Sequence, residues 1–245
     1  MPDLEILGWD KARAAEFEPF QAAGLVPGRI SLEHNHIYRA LTSAGETLAE
    51  ASGRIKHLAA GRRELPAVGD WVALEPDPAG DRARISALLP RRTTFSRKAA
   101  GRSTEEQVIA ANVDVVLLVF GLDKPVNARA IERYLAVASR SGATSVVVLN
   151  KADLAEDVDA DLAASREVSG VTDVHAVSST QPGGAAVIER YLAVGRTLAL
   201  LSRHPGIGFV LIGTAAEAES IEQAKTTYRA GGGTASRVDA GETTA

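Results

Sequence analysis

The sequence predicts a small all-β barrel followed by an α/β domain built on a parallel sheet. Three observations lead there. From about residue 29 to 90 the chain breaks into short strand-like runs separated by turn residues. A basic stretch, RRTTFSRKAAGR (91–102), then interrupts the pattern. Beyond it, apolar strand-like runs and helical periodicity alternate four times, the signature of parallel strands joined by crossover helices.

The elements follow in order. Residues 1–28 read as a lead-in, helical to about Gly24, with Gly24 and Pro27 as stop signals. Residues 29–92 form the barrel, with strands at IYRAL (37–41), ETLAEAS (46–52), GDWVALE (69–75) and RARISALL (82–89). Residues 93–104 are expected as a basic linker. The second domain, 105–201, opens with strand VDVVLLVFG (113–121). A helix capped by Asn127 follows, with Ile131, Tyr134, Leu135 and Ala138 on one face. Then come strand SVVVL (145–149), a helix near 155–168, strand DVHAV (173–177), helix AAVIERYLAV (185–194) and strand RTLALL (196–201). Residues 202–245 fit neither pattern. GFVLIGTA (208–215) suggests one more strand, AEAESIEQAKTT (216–227) a helix, and RAGGGTASRVDAGETTA (229–245) a disordered tail.

Bulk properties narrow the function. The chain has 245 residues, 45% of them hydrophobic, enough for two cores. A net charge of −4 excludes a polycation. No apolar run approaches membrane-spanning length, and the N-terminus lacks a basic start followed by an apolar stretch, so neither a membrane span nor a signal peptide is expected. There is no cysteine. That removes disulfides and thiolate metal sites and agrees with a cytoplasmic location. His34 and His36 are joined by no carboxylate cluster, so no metal site is expected.

Functional chemistry concentrates after SVVVL. The run delivers Asn150, Lys151 and Asp153 to the carboxyl edge of a parallel strand, where such sheets bind ligands. A carboxylate only accepts hydrogen bonds. Guanine offers two adjacent donors where adenine has an acceptor, so one fixed Asp153 selects guanine. The Lys151 stem can lie on the base, and Asn150 can brace the loop. The alternative is a polar β–α turn, with Asp153 favoured by the next helix N-terminus. One strand–helix unit later, Ser178 and Ser179 reach the matching edge, either as a loop supporting a base through backbone N–H groups or as a serine-rich turn.

Together these stretches resemble the ribosome small-subunit-dependent GTPase A family, circularly permuted GTPases with an N-terminal OB-fold. The resemblance covers residues 5–201 and is carried by GLVPGRISLEH (24–34), ELPAVGDWVAL (64–74), LPRRTTFSRKAAGR (89–102), EEQVIAANVDVVLLVFGLD (105–123), VVVLNKADL (146–154) and HAVSSTQ (175–181). It implies an OB-fold barrel followed by a P-loop-type GTPase domain whose base motifs precede its phosphate motifs. It implies GTP and GDP with Mg²⁺, and action late in maturation of the small ribosomal subunit. Asn150, Lys151 and Asp153 match the base-specificity motif, and Ser178 and Ser179 the loop behind it. Ser179 stands where alanine is usual. The basic stretch places Arg91, Arg92, Arg97, Lys98 and Arg102 within twelve residues. Clustered charge attracts phosphate, so these five are expected to contact ribosomal RNA; the other reading is a solvated linker. A second basic run, Arg54 to Arg63, falls in a barrel loop. A monomer is expected.

The resemblance stops near residue 201, so the GTPase domain is expected to be incomplete. A phosphate loop needs G-x-x-x-x-G-K-[ST]. The chain reads LSRHPGIGFVLIG (201–213): Gly206 and Gly208 keep its middle, but Phe209 stands in the place of the lysine and Val210 in that of the magnesium-binding hydroxyl. The family's D-x-x-G motif is absent downstream; Asp77 to Gly80 matches its letters from a barrel loop. With no cysteine to serve as a ligand, the family's zinc domain is not expected in these residues. A frameshift near Ser202 or a diverged paralogue both explain this. Three readings remain: a GTPase with impaired turnover, an rRNA-binding OB module with a vestigial nucleotide domain, or a non-functional fragment.

Overall fold

The computed structural model describes residues 4–77, 82–98, 106–184, 186–202 and 210–213, with backbone alone for 97–98 and 210–213. Two bodies emerge in the predicted order. The first is a closed barrel of five strands in the order β1-β2-β3-β5-β4, formed by Val26–His34, Ile37–Thr42, Gly45–Ala51, Trp71–Glu75 and Ala83–Leu88. Pairing of β1 with β4 closes it. Alternate residues point inward, so Tyr38 and Ala40, Val72 and Leu74, and Ala83 and Ile85 fill its core. The second basic run lies between β3 and β4, in α2 (Gly53–Leu58) and a 3-10 turn at Arg62–Glu64.

The second body is a five-stranded sheet, β10-β9-β8-β11-β12. Its members are β8 (Val115–Gly121), β9 (Thr144–Asn150), β10 (Asp173–Ala176), β11 (Thr197–Ser202) and β12 (Val210–Gly213). The first four are parallel, and β12 returns antiparallel on β11. Both faces of β8 and β9 are covered, which is why their sequences are continuous apolar runs. Val116, Leu118, Phe120, Val147 and Leu149 pack on one side under α3 (Ala128–Ser141) and α4 (Val158–Ser169). Val115, Leu117, Val146 and Val148 pack on the other with Ile188. Helix α3 starts where Asn127 Oδ1 accepts the Ala130 N–H at 3.0 Å, and it stops at Gly142, with φ +85°.

Three expectations are corrected. Residues 94–98 are not linker: β6 (Thr94–Lys98) pairs with β7 (Glu106–Ala111), and Phe95 is buried in the core shared with α3. The lead-in ends earlier than expected. Its helix α1 is Lys11–Gln21, and Pro27 lies within β1, opposite Ala73. The helix expected at 185–194 is one turn, α5 (Ala186–Glu189). Beyond it the Tyr191 hydroxyl donates to Asp173 Oδ2 on β10 at 2.7 Å, and Leu192 still packs on the sheet. Contacts to the sheet override the helical period here. The strand expected within 208–215 is β12; the helix expected at 216–227 and the tail lie outside the described residues.

Asn112 joins the two bodies. It adopts φ +56° between β7 and β8. Its Oδ1 accepts from Arg13 Nη2 at 2.7 Å and from the Arg92 N–H at 2.9 Å. Its Nδ2 donates to Gly69 O at 2.9 Å, and its carbonyl accepts from Arg29 Nη2 at 3.2 Å. Nearby, Arg91 grips the fully buried Asp70 with Nε and Nη2, at 2.7 and 2.6 Å. Asp10 caps α1 through the Arg13 N–H and binds Arg92 through both carboxylate oxygens.

Two predictions follow from these pairs. Asp70→Ala strands the Arg91 guanidinium and is expected to cost about 3–5 kcal/mol in urea unfolding; a loss below about 1 kcal/mol would show that the pair does not hold the junction. Arg92 and the Arg13 N–H hold the Asp10 carboxyl well below its ordinary range. Its contribution is therefore present above the unfolded value of about 4 and is lost as pH falls below it. Asp10 and Arg92 are about half exposed, so the effect is on the order of 1 kcal/mol. Trp9, packed on Trp71 at 4.9 Å, is expected to report that undocking by fluorescence below about pH 4, and Asp10→Asn to flatten the dependence.

Candidate guanine-nucleotide site

The site lies at the carboxyl edge of β9 and β10, on a sheet edge opposite the Asn112 junction. Parallel pairing of these strands brings their two following loops together. Backbone bonds stitch the loops: Val177 N–H donates to Leu149 O at 2.8 Å, and Ala152 N–H to Val177 O at 3.0 Å. Asn150 Oδ1 accepts from the Lys151 N–H at 2.8 Å and the Ser179 N–H at 3.2 Å. It therefore braces both loops at once, its own and the one after β10. Lys151 takes φ +65°, which turns the chain into a 3-10 turn at Ala152–Leu154.

That turn presents Asp153, which is exposed, beside the buried Ser178. The Ser178 hydroxyl donates to Asp153 Oδ1 and lies 3.1 Å from Thr180 Oγ1. A carboxylate fixed in this way keeps acceptor capacity for a ligand's paired donors. The Ser178–Gly184 turn is tight. Its Gly184 has no room for a side chain, since a Cβ there would lie 2.0 Å from Ser178 O. Two N–H groups anticipated as base supports are occupied: Ser178 N–H donates to Gly184 O at 3.3 Å, and Ser179 N–H donates to Asn150. Both bonds are long for N–H···O.

One participant escaped the sequence reading. Lys151 Nζ lies 3.0 Å from Asp123 Oδ1, just past the end of β8. The Lys151 stem thus crosses the end of β8 at Gly121, where a Cβ would lie 2.4 Å from Asp123 Oδ1. Lys151 lowers the Asp123 carboxyl from its ordinary range. The available signal was position: Asp123 follows the apolar run of β8 as Asn150 follows that of β9.

The other anticipated residues divide. Arg91 is corrected as a free RNA contact. Four of its donor interactions are internal, to Asp70, Arg63 O and Leu65 O, and its side chain is 15% exposed. Arg92 keeps an exposed position but is paired with Asp10. Arg97 and Lys98 lie in β6 opposite Gln107 and Glu106; their side chains, together with Arg102, Gly206 and Gly208, lie outside the described residues. At the end where the phosphate loop was sought, β12 pairs with β11 as Ala199 opposite Leu211 and Leu200 opposite Val210. Val210 therefore begins a returning strand. Among the described residues no three His, Cys, Asp or Glu gather as a metal site, and no helix is long and apolar enough to cross a membrane.

Comparison with known proteins agrees with this arrangement. The RsgA GTPase family model matches residues 88–231, past the point near 201 where the resemblance was expected to stop. The small ribosomal subunit biogenesis GTPase RsgA of Opitutus terrae is 45% identical over 206 residues, covering 81% of this chain and 56% of that protein. RsgA 2 of Lactiplantibacillus plantarum is 34% identical, covering 84% of this chain and 57% of its own length. The chain thus spans a little over half the length of these curated relatives. Two crystal structures share the fold. YjeQ from Thermotoga maritima has a TM-score of 0.56 at 24% identity, over 72% of this chain and 60% of that one. YloQ, a circularly permuted GTPase, has a TM-score of 0.55 at 21% identity, over 73% of this chain and 60% of that one. On the family match and the barrel-then-permuted-sheet order, this chain is a member of the RsgA GTPase family.

Proposed function

We propose that this chain reads the guanine base of GTP and GDP and acts in small ribosomal subunit biogenesis, with greatly reduced turnover. One observation carries the base reading: Asp153 is held by the Ser178 hydroxyl beside the Lys151 stem, with Asn150 tying both loops. In this reading Asp153 accepts from the guanine ring N–H and amine, Lys151 covers one face of the base, and the Ser178–Ser179 loop closes its edge. The relatives' names suggest the setting, the small ribosomal subunit; in this reading its RNA is the polyanion that Arg92, Arg97, Lys98 and Arg102 contact. A cytoplasmic monomer fits that role.

Phosphoryl transfer is catalysed by positioning and charge neutralisation. When bound, Mg²⁺ and a phosphate-loop lysine supply that neutralisation. The residues here do not fit them: Phe209 and Val210 replace the lysine and hydroxyl, and β12 runs back as a strand where a phosphate loop opens a helix. Magnesium ligation is therefore assigned to no residue of this chain, and its turnover is expected to be greatly reduced. The same observation favours a second reading, an rRNA-binding OB barrel with a vestigial nucleotide domain.

Titration of the purified chain with GTP, GDP, guanosine and ATP, with and without Mg²⁺, separates the two. The expected result is weak guanine-selective binding, similar for guanosine and GTP, little changed by Mg²⁺, and lost in Asp153→Asn. Removal of a hydrogen-bonded carboxylate is expected to cost tenfold or more in affinity, about 1.5–3 kcal/mol. Equal binding of ATP and GTP would sink the base assignment. Binding of GTP far tighter than guanosine would sink the claim that the phosphate cradle is lost.

A further inference from the structure

A second polar cavity lies at the sheet edge opposite Asp153. It measures about 300 Å³ and sits where the lead-in, the barrel and the starts of β8 and β11 meet. Its lining includes Arg13, Arg29, Arg92, Trp71, Asn112 and Thr197. The charges are arranged unevenly. Arg13 and Arg29 are 1% and 6% exposed. The lining acids Glu5, Asp10 and Asp114 are all exposed, at the rim.

Arg29 is the unusual member. Among the described residues its four hydrogen bonds reach only neutral oxygens: Gly69 O at 3.4 Å, Leu7 O, Asn112 O at 3.2 Å and Thr197 Oγ1 at 2.6 Å. Its guanidinium also stands over the Trp71 ring at 5.5 Å. Among the described residues Arg13 meets one carboxylate, Glu16 at 2.7 Å, and its buried Nε–H has no acceptor. The nearest buried carboxylate, Asp70, is engaged by Arg91. Burial, with the neighbouring Arg13 charge, lowers the Arg29 guanidinium to about 10 against the opposing pull of the Asp114 and Asp70 carboxylates. A cation desolvated to this extent is strongly stabilised by an anion brought beside it.

We propose that this cavity binds a small free oxyanion, a phosphate, sulfate or short carboxylate, between the Arg29 and Arg13 guanidinium groups, with Arg92 at its mouth. The site is independent of the guanine pocket, which lies on the other sheet edge. Its volume admits such an ion with water, and its depth excludes a polymer backbone from the buried arginines.

The molecule carries its own reporter, since both of its tryptophans, Trp9 and Trp71, line this cavity. Tryptophan fluorescence of the full chain is titrated with sodium phosphate, and separately with sulfate and acetate, against sodium chloride at matched ionic strength. The expected result is a saturable change with at least one oxyanion and none with chloride. Arg29→Gln is expected to raise the half-saturation concentration roughly tenfold, the effect of losing a charged hydrogen-bonding group. If Arg29→Gln fails to fold, Arg92→Ala at the rim, expected to weaken binding roughly threefold, serves with the Arg13 Nε–H resonance, which should shift on titration. Saturating guanosine should leave the curve unchanged. No saturation by about 20 mM of each oxyanion would overturn the proposal. So would a curve indifferent to the arginine variants, or one displaced by guanosine.

Discussion

The arrangement of the two bodies rests on the hydrogen bonds of Asn112. Its amide meets α1 through Arg13, the barrel through Gly69 and the basic segment through the Arg92 N–H, and its carbonyl meets Arg29 on β1. A polar junction of this kind is stringent. Apolar surfaces tolerate small shifts, whereas each of these bonds has a length and a direction. The left-handed turn at Asn112 aims its carbonyl and side chain at different elements, a conformation Asn adopts more readily than most residues. The barrel is thereby seated at the amino edge of the sheet, away from the carboxyl edge of β9 and β10.

That division of edges separates two kinds of chemistry. At the carboxyl edge, the polar side chains are short, partly exposed and hydrogen-bonded between loops. Asn150, Asp153 and Ser178 are held in place while Asp153 remains accessible. At the amino edge, long cationic side chains are drawn inside and satisfied largely by carbonyls. Hydrogen bonds to carbonyls stabilise a buried guanidinium without cancelling its charge, so Arg29 remains a buried cation beneath an acidic rim.

The antiparallel return of β12 changes what the carboxyl edge can do. In a nucleotide-binding α/β sheet, the phosphates rest on the N-terminus of the helix after the strand, where unpaired N–H groups and the helix dipole converge. Here Val210–Gly213 pairs back along β11 over Thr197–Leu200, and these N–H groups and carbonyls belong to a ladder. The proposed base site and the place where a phosphate loop was sought belong to different strands of the sheet, β9 and β10 against β11. One can therefore persist without the other.

Much of this was legible in the residues, because local patterns report on local surroundings. The two-faced apolar runs of β8 and β9 announced a covered parallel sheet, and the i, i+3, i+4 face of α3 announced its cover. Asn150, Lys151 and Asp153 were readable because chain order alone places them after a strand. Tertiary structure decided what depends on partners far away in sequence. Arg29 meets Thr197 across 168 positions and Arg13 meets Asn112 across 99, so nothing near either arginine distinguishes it from a surface cation. Arg91 looked like its neighbours until Asp70 was found beneath it. Residues 94–98 became a strand only because 106–111 supplied its ladder, and Asp123 joined the site only because β8 lies beside β9. Sequence alone determined the order of the two bodies and set Asn150, Lys151 and Asp153 at the end of β9; pairing across the fold decided which charges lie inside, because burial is a property of the assembled surface and not of the chain.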